Sequence, residues 1–407
     1  MNCKIMANAC GLVFLICAGV GCQSSHSQTA MRWSPREIAS PVPPRAFSPR
    51  LTAMRDGSVL LTWLEPTTDK LAALRASFWR SGTWSLPLTI TEQTFARHQS
   101  ESPGVVVLSK TNLIAYWSQK PPNKDAGSRE VDVYFSISTD AGLHWTAPTL
   151  ANSPGTGQEN SYSSAAPVDA TRAALIWLDG RNWTKQKRVA LMSRIVQVEG
   201  SVSEATVIDP DTCTCCPTSI AQTSAGLLAA YRGHTPDNIR DISLAQNAHG
   251  QWSQPHIPHP DNWHFAGCPV NGPHLDADGA TTALVWFSAP QDQPEVELAL
   301  SEDGGSTFSP PLRIDEGNVV GRAQAVHLPG RSTLAFWLER KSSATRLLAR
   351  LVRNNKILDA PFEVARGSGL GYPQAIRSGN NVLVTWTVES PVSQIHVAVI
   401  GESQGKD

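Results

Sequence analysis

The sequence predicts an all-β protein folded as a β-propeller of four-stranded blades, with seven blades favoured over six. Three observations lead to this prediction. Short apolar segments that end in an aromatic residue recur seven times along the chain. Two of the repeats share a turn motif, and the last repeat has room for only three strands. A segment near the N-terminus has the pattern of the missing strand, so we expect it to close the ring.

The aromatic ends of the repeated segments are evenly spaced. The segments end at Trp63, Trp117, Trp177, Tyr231, Trp286, Trp337 and Trp386. The spacing runs from 49 residues, between Trp337 and Trp386, to 60 residues, between Trp117 and Trp177. Repeats of roughly 40 to 50 residues are typical of one propeller blade each.

The composition suits a β-rich chain with many tight turns. The 407 residues include 13 Trp, 29 Gly and 29 Pro, and only 17% are charged. The formal net charge of −1 leaves no basic field that would attract nucleic acid. We therefore expect no nucleic-acid partner, and we expect a monomer.

Residues 1–22 are typical of a secretory signal peptide. An apolar stretch follows Lys4, and it is too short and too early for a working membrane span. Cys22 at the cleavage point resembles the cysteine of a bacterial lipobox, although Gly19 stands where leucine is usual. We expect lipidation of Cys22, with an ordinary cleaved signal as the alternative, followed by a flexible linker at residues 23–31.

The lipobox resemblance implies a place on the bacterial cell envelope. The protein would be lipid-anchored, or secreted if the signal is simply cleaved. Gln23 follows the cysteine, which by resemblance to lipoprotein sorting favours the outer membrane. The lipid would be the only link between the chain and a membrane.

Two turns share one sequence signature, in which a serine, an aspartate, a glycine and an aromatic residue keep fixed spacing. The residues that define it are Ser138, Asp140, Gly142, Trp145, Ser301, Asp303, Gly305 and Phe308. The aspartate accepts backbone N–H groups, the glycine permits a positive φ, and the aromatic ring packs between blades. The signature resembles the Asp-box of the sialidase superfamily, the BNR-repeat proteins. The resemblance implies a propeller, and it implies that the Asp-boxes lie far from any active site.

The propeller domain is predicted to span residues 32–402, with a tail at residues 403–407. The last repeat ends near Ile400, and residues 32–38 read as a lone strand that would complete it. Pairing the two ends would remove two open sheet edges. Seven blades separate this chain from the sialidases, which have six.

Most of the unusual side chains fall in loops that would share one face of the propeller. These loops lead into the first strand of a blade or follow its second strand, and we call their common face the mouth. Concave mouths are the default binding sites of propellers. The residues we expect to bind a ligand there are Arg181, Trp183, His234, Trp263, His264 and Asn271.

Four cysteines remain once the signal segment is removed. They are Cys213, Cys215, Cys216 and Cys268, and they lie in neighbouring loops of the mouth. Two disulfides are the leading interpretation for an oxidising compartment. A thiolate metal site, with His234 or His264, is an alternative. A redox-active or vicinal Cys215–Cys216 disulfide is another. No other cofactor is expected.

The sialidase resemblance also implies a possible enzymatic activity. Sialidases hold the sugar carboxylate with three arginines and use a tyrosine nucleophile with an aspartate as acid and base. The residues that could fill these roles are Arg232, Arg240, Arg322, Tyr372, Asp237 and Asp241. The first arginine of the family's motif is replaced here by Phe47, when Pro49 is aligned.

Three functions follow from these observations. The leading hypothesis is an exported, sialidase-like propeller that binds a glycan or a small anionic ligand at the mouth. The alternative is a sialidase-type glycoside hydrolase. The third is a metal or redox protein centred on the four cysteines.

Overall fold

The computed structural model describes residues 32–96, 100–121, 130–155 and 157–403. The expected signal peptide, the linker and residues 404–407 of the tail lie outside the described residues. Within the described part of the chain, no helix is long and apolar enough to cross a membrane.

Seven β-sheets form the structure, each an antiparallel blade. The chain begins with β1 (Arg32–Ile38), which belongs to the last blade. Blade 1 contains β2 (Phe47–Ala53), β3 (Val59–Pro66), β4 (Ala72–Arg80), β5 (Thr83–Trp84) and β6 (Leu88–Gln93). Blade 2 contains β7 (Gly104–Val107), β8 (Leu113–Gln119), β9 (Asp132–Ser138) and β10 (Thr149–Leu150). Blade 3 contains β11 (Asn160–Pro167), β12 (Arg172–Asp179), β13 (Val189–Gln197) and β14 (Thr206–Thr212), with helix α1 (Trp183–Gln186) between β12 and β13.

The second half of the ring repeats this plan. Blade 4 contains β15 (Ser219–Thr223), β16 (Gly226–Arg232), β17 (Ile242–Ala248) and β18 (Gln251–Trp252). Blade 5 contains β19 (His274–Asp278), β20 (Thr281–Ser288), β21 (Glu295–Ser301) and β22 (Leu312–Arg313), with a 3₁₀ turn at Pro290–Asp292. Blade 6 contains β23 (Val319–Leu328), β24 (Ser332–Lys341), β25 (Ala344–Arg353), β26 (Lys356–Ile357) and β27 (Phe362–Gly367). Blade 7 contains β28 (Gln374–Ser378), β29 (Asn381–Val388) and β30 (Gln394–Ser403), together with β1.

The first strand of each blade lies at the centre of the ring. Each of these strands contacts the first strand of the next blade, and β2 contacts both β7 and β28, so the ring is complete. The prediction of an all-β propeller with seven blades is therefore confirmed. Blades 1 and 6 depart from four strands, because β6 and β27 add a fifth strand to each.

The ring is closed by β1, as the sequence predicts. It pairs antiparallel with β30 over seven residues, from Arg32 opposite Ser403 to Ile38 opposite Val397. Because β30 starts at the mouth, its last residue lies at the other end of the blade. Arg32 therefore lies at the face that carries the Asp-box turns.

The seven aromatic anchors all lie on the second strands and are at most 3% exposed. In four blades the indole N–H of the anchor donates to the side chain two residues later, as from Trp117 to Gln119 at 2.6 Å and from Trp337 to Glu339 at 2.8 Å. These bonds satisfy a polar group that burial would otherwise leave unpaired. The same pattern holds at Trp63 and Trp177.

Both Asp-box turns connect the third and fourth strands of their blades, on the face opposite the mouth. In the second turn, the Asp303 carboxylate accepts from the backbone and hydroxyl of Thr307, and from the Ser301 hydroxyl at 2.7 Å. Gly305 has a φ of 88°, which a residue with a Cβ rarely adopts. These bonds lower the pKa of Asp303 from 3.8 to about 2, those from Thr307 having the largest effect.

Replacing this carboxylate is expected to have a pH-dependent effect on stability. A lowered folded-state pKa stabilises the fold above the unfolded pKa, and that stabilisation disappears as the pH falls toward 2. The melting temperature of Asp303→Asn should therefore lie below that of wild type at pH 6 and converge with it near pH 2. Circular dichroism melts across this range measure the difference, and Asp140→Asn in the other turn should behave alike. A difference that does not change with pH would contradict the assignment.

Candidate functional site

The mouth gathers most of the residues that the sequence marks as candidates. The loops leading into blades 4 and 5 lie side by side there, and the four cysteines meet where these loops touch. Cys215 and Cys268 form a disulfide with their Cα atoms 6.2 Å apart. The bond ties the two leading loops together across a blade boundary.

The other two cysteines are not bonded to each other. Cys213 and Cys216 are buried free thiols whose Sγ atoms lie 3.3 Å apart. The expectation of two disulfides therefore has to be corrected to one disulfide and one pair of close thiols. The vicinal alternative is corrected as well, since Cys215 is bonded to Cys268 and not to Cys216.

The environments of the two thiols differ. A hydrogen bond from Cys216, the Cys215 backbone amide, and the charges of Arg232 and Arg240 lower the pKa of Cys213 to about 6. Burial and the neighbouring Cys213 sulfur raise the pKa of Cys216. At neutral pH the pair therefore consists of a Cys213 thiolate that accepts a hydrogen bond from a Cys216 thiol.

The alternative of a thiolate metal site depends on how many ligands the cysteines offer. The sulfur atoms of Cys213, Cys215 and Cys216 lie within 4.8 Å of one another, and no histidine joins this group among the described residues. Because Cys215 is in a disulfide, two thiols remain, whereas structural zinc sites have four ligands. The oxidised protein therefore offers an incomplete site for zinc.

Arg232 lies beneath the cysteine loops and is only 1% exposed. Its guanidinium donates to the backbone carbonyls of Asn271, Arg240 and Phe287, and it lies over the Trp263 ring at 4.9 Å. No carboxylate within the described residues lies within 4.0 Å of it. This geometry joins three loops and places a positive charge near the thiolate. A catalytic role for Arg232 stays a prediction.

Asp241, Arg240 and Trp263 belong to the same buried junction. The two carboxylate oxygens of Asp241 accept the backbone N–H groups of Asn262 and Trp263, each at 3.0 Å. Arg240 donates to the carbonyl of Phe265 at 3.0 Å. Each of these groups holds the loop leading into blade 5 in place.

Arg322 and Tyr372 lie further around the ring, in blades 6 and 7. The Arg322 guanidinium donates to the carbonyl of Leu370 and lies 4.7 Å from the centre of the Tyr372 ring. The Tyr372 hydroxyl donates to the carbonyl of Val270, and burial raises its pKa. The side chain of Asn271 links this group to Arg232, since its Oδ1 accepts the Arg322 backbone N–H at 2.8 Å. The three predicted arginines therefore do not point into one cavity.

The remaining candidates lie nearer the surface. His234 contacts Asp211 at 2.9 Å, and Arg188 pairs with the same carboxylate at 3.2 Å. His264 and Asp237 are exposed on the rim of the mouth.

A cavity of about 310 Å³ opens between blades 3 and 4 on the mouth face. Three predicted residues line it or adjoin it: Trp183 and Cys215 form part of the wall, and Arg181 lies next to Gly180 of the wall. The lining consists of Gln158, Glu159, Ser161, Tyr162, Leu178, Gly180, Trp183, Val189, Thr214 and Cys215.

The floor and wall of this cavity depend on two backbone features. Gly180 packs so closely that a Cβ would lie 2.6 Å from the Glu159 carbonyl oxygen, so only glycine fits there. Tyr162 has a φ of 54° inside a register shift of β11. Such a bulge turns the side chain away from the regular alternation of the strand. Positive φ also occurs in the register shifts at Ser48 and Arg322, at the mouth ends of β2 and β23.

Trp183 is the aromatic residue of this cavity that solvent reaches. It starts helix α1, is 40% exposed, and has the Lys187 ammonium 5.3 Å from its ring centre. Arg181 is held away from the cavity by a bidentate ion pair with Asp179, at 2.7 Å for both bonds.

Sequence reasoning missed parts of this site. Gln158 and Ser161 gave no signal, since single polar residues in a loop resemble any surface loop. The close approach of Cys213 and Cys216 was also missed, although the sequence carries a signal for it. Two residues separate these cysteines, which is the C-x-x-C spacing common to dithiol and metal sites.

Comparison with known proteins gives a fold and no family. No protein-family model matches the sequence, and comparison with curated proteins finds no match either. An ulvan lyase of the PL25 polysaccharide lyase family, bound to -[GlcA(1-4)Rha3S]-, is similar with a TM-score of 0.58 and 10% identity, over 90% of this chain and 96% of that one. A GH93 α-L-arabinofuranosidase of Fusarium graminearum gives a TM-score of 0.49 and 13% identity, over 90% and 97%. NanB sialidase from Streptococcus pneumoniae gives 0.44 and 12%, over 90% and 70%. At these identities the similarity concerns the propeller fold.

Proposed function

We propose that this protein is an exported, lipid-anchored β-propeller that binds carbohydrate in the cavity between blades 3 and 4. The observation that carries the proposal is the cavity itself. Its volume of about 310 Å³ is at the lower end of the range for small-molecule sites, and it lies in the mouth. An exposed tryptophan forms one side of it, beside several polar side chains.

The chemistry of the lining suits a sugar. The Trp183 ring offers an apolar face for the C–H groups of a pyranose, and Lys187 packs on that ring. Glu159 accepts from the Ser161 hydroxyl at 2.9 Å. A carboxylate, a hydroxyl and an amide placed around an aromatic face supply the donors and acceptors that sugar hydroxyls require.

The charges that line the cavity favour an uncharged sugar over an anionic one. Arg232 and Arg240 donate to backbone carbonyls, and Arg181 is paired with Asp179. None of these three guanidiniums lines the cavity, whereas the Glu159 carboxylate does. A ligand carboxylate placed there would meet a like charge.

Binding is favoured over hydrolysis. Glycoside hydrolysis normally uses two carboxyl groups that flank the scissile bond, and Glu159 is the one carboxylate among the described residues that line the cavity. Burial and the neighbouring Glu101 and Glu159 raise the pKa of Tyr162, so its hydroxyl stays protonated and is a poor nucleophile. We therefore expect no turnover of a fluorogenic sialoside.

Removing the aromatic side of the cavity tests the proposal. Trp183→Ala should weaken binding of the best ligand from a glycan array by roughly 10- to 100-fold, since aromatic contacts at binding sites often contribute about 1.5–3 kcal/mol. Isothermal titration with the purified protein measures the change. Phe265→Ala is the matched control, because Phe265 is an exposed aromatic on the same face that does not line the cavity. Equal affinity of Trp183→Ala and wild type would exclude this cavity.

A further inference from the structure

The four cysteines form two pairs that differ in exposure. Cys213 and Cys216 are 1% and 2% exposed. Cys268 is exposed on the loop that leads into blade 5, and its partner Cys215 lines the cavity. The outer pair therefore reaches solvent through Cys268, since Cys215 is only 9% exposed, and the other pair is buried beneath it.

The two pairs are close enough to react with each other. The sulfur atoms of Cys213, Cys215 and Cys216 lie within 4.8 Å of one another, and Cys215 is bonded to Cys268. Disulfide exchange requires a thiolate beside a disulfide sulfur, with a second thiol ready to displace the mixed disulfide. All three parts are present here within one buried cluster.

The charges around the cluster support a thiolate at Cys213. Arg232 is a buried cation whose hydrogen-bond partners are neutral carbonyls, so its charge favours an anion at a neighbouring thiol. The positive charges of Arg232 and Arg240 both lower the pKa of the Cys213 thiol.

We propose that the four cysteines form a thiol–disulfide relay, in which one disulfide passes between the outer Cys215–Cys268 pair and the buried Cys213–Cys216 pair. The relay does not depend on carbohydrate binding, although Cys215 also forms part of the cavity wall.

Two exchange steps complete the transfer. The Cys213 thiolate attacks Cys215 Sγ, so that the Cys213–Cys215 bond forms, the Cys215–Cys268 bond breaks and Cys268 leaves as a thiolate. The Cys216 sulfur then attacks Cys213, so that the Cys213–Cys216 bond forms and the Cys213–Cys215 bond breaks, and the proton of the Cys216 thiol passes to the leaving Cys215 sulfur. One disulfide and two thiol equivalents are therefore present before and after, and no oxidant is consumed.

The released Cys268 thiol faces solvent and can exchange with a low-molecular-weight disulfide, and Cys215, which lines the cavity, can then displace the mixed disulfide. That reaction restores Cys215–Cys268 and releases two small thiols. The protein then holds two disulfides, and the two electrons have passed to the small disulfide.

Irreversible alkylation of the released Cys268 thiol tests the relay. The full chain, with Cys215–Cys268 formed and Cys213 and Cys216 reduced, is incubated under argon with iodoacetamide and a chelator for several hours. Peptide mass spectrometry then locates the label and the disulfides. We expect label on Cys268 together with a Cys213–Cys216 disulfide, because alkylation removes the thiol needed for the reverse step.

Two variants separate the steps. In Cys216→Ser the reaction should stop at Cys213–Cys215, with Cys268 labelled. In Cys213→Ser the labelling of Cys268 should be about tenfold slower or absent, because the attacking thiolate is gone. If Cys213→Ser does not fold, the wild type and Cys216→Ser still report the exchange.

Three outcomes would overturn the relay. The first is wild type that keeps Cys215–Cys268 and shows no label on Cys268, while urea-unfolded protein exchanges. The second is equal labelling of Cys268 in folded Cys213→Ser and wild type. The third is a metal ion that copurifies with wild type and is lost in Cys216→Ser, since the buried thiols would then be ligands.

Discussion

Replacing Arg232 by leucine is expected to lower the free energy of unfolding by about 3–5 kcal/mol. The change leaves the carbonyls of Asn271, Arg240 and Phe287 without their buried donor, and unpaired buried polar groups are costly. It also removes the cation that lies over Trp263. Urea denaturation of the purified variant, followed by fluorescence, measures the loss.

A surface arginine provides the control for this effect. Arg172→Leu breaks an ion pair with Asp169 that is largely exposed, so it should cost less than about 1 kcal/mol. If Arg232→Leu kept wild-type stability and yet lost ligand binding, Arg232 would belong to the binding site and its structural role would be wrong.

Deleting β1 is expected to cost a comparable amount of stability. A chain that begins at Ala39 loses seven residues of pairing with β30, at roughly 0.5–1.5 kcal/mol for each backbone hydrogen bond, so we expect a loss of about 3 kcal/mol or more. The exposed edge of β30 would also promote association between molecules. Size-exclusion chromatography and urea denaturation should show aggregation and lower stability.

The control for this deletion is a chain that begins at Arg32. It lacks the predicted signal and linker but keeps β1, so it should elute as a monomer with wild-type stability. A monomeric protein of unchanged stability that begins at Ala39 would show that three strands suffice for blade 7.

The fold could be predicted because each blade repeats the same local sequence pattern. A buried aromatic residue lies near the end of the second strand of each blade. Anchors such as Trp63 and Trp386 therefore give the number of blades without any information about long-range contacts. The strand at residues 32–38 was recognisable because the last repeat lacks one. The fifth strands β6 and β27 were not predicted, because an outer strand of mixed polarity resembles the connection it replaces.

The site was harder to predict, since its features depend on contacts between distant parts of the chain. The burial of Arg232 results from carbonyls 39 and 55 residues away in sequence. The bulge that turns Tyr162 into the cavity is set by a register shift against β12. Cysteine pairing likewise depends on which loops meet, so sequence could place the four cysteines together but could not assign Cys215 to Cys268.

The position of Arg32 has a consequence for how the molecule would sit on a cell. The chain enters the propeller at the Asp-box face, so any anchor at Cys22, as the sequence predicts, is attached to that face. A ten-residue tether from Cys22 to Arg32 reaches at most about 35 Å when extended. The Asp-box turns would then lie toward the lipid surface, and the cavity and Cys268 would face outward, where soluble ligands and small disulfides arrive without crossing the tether.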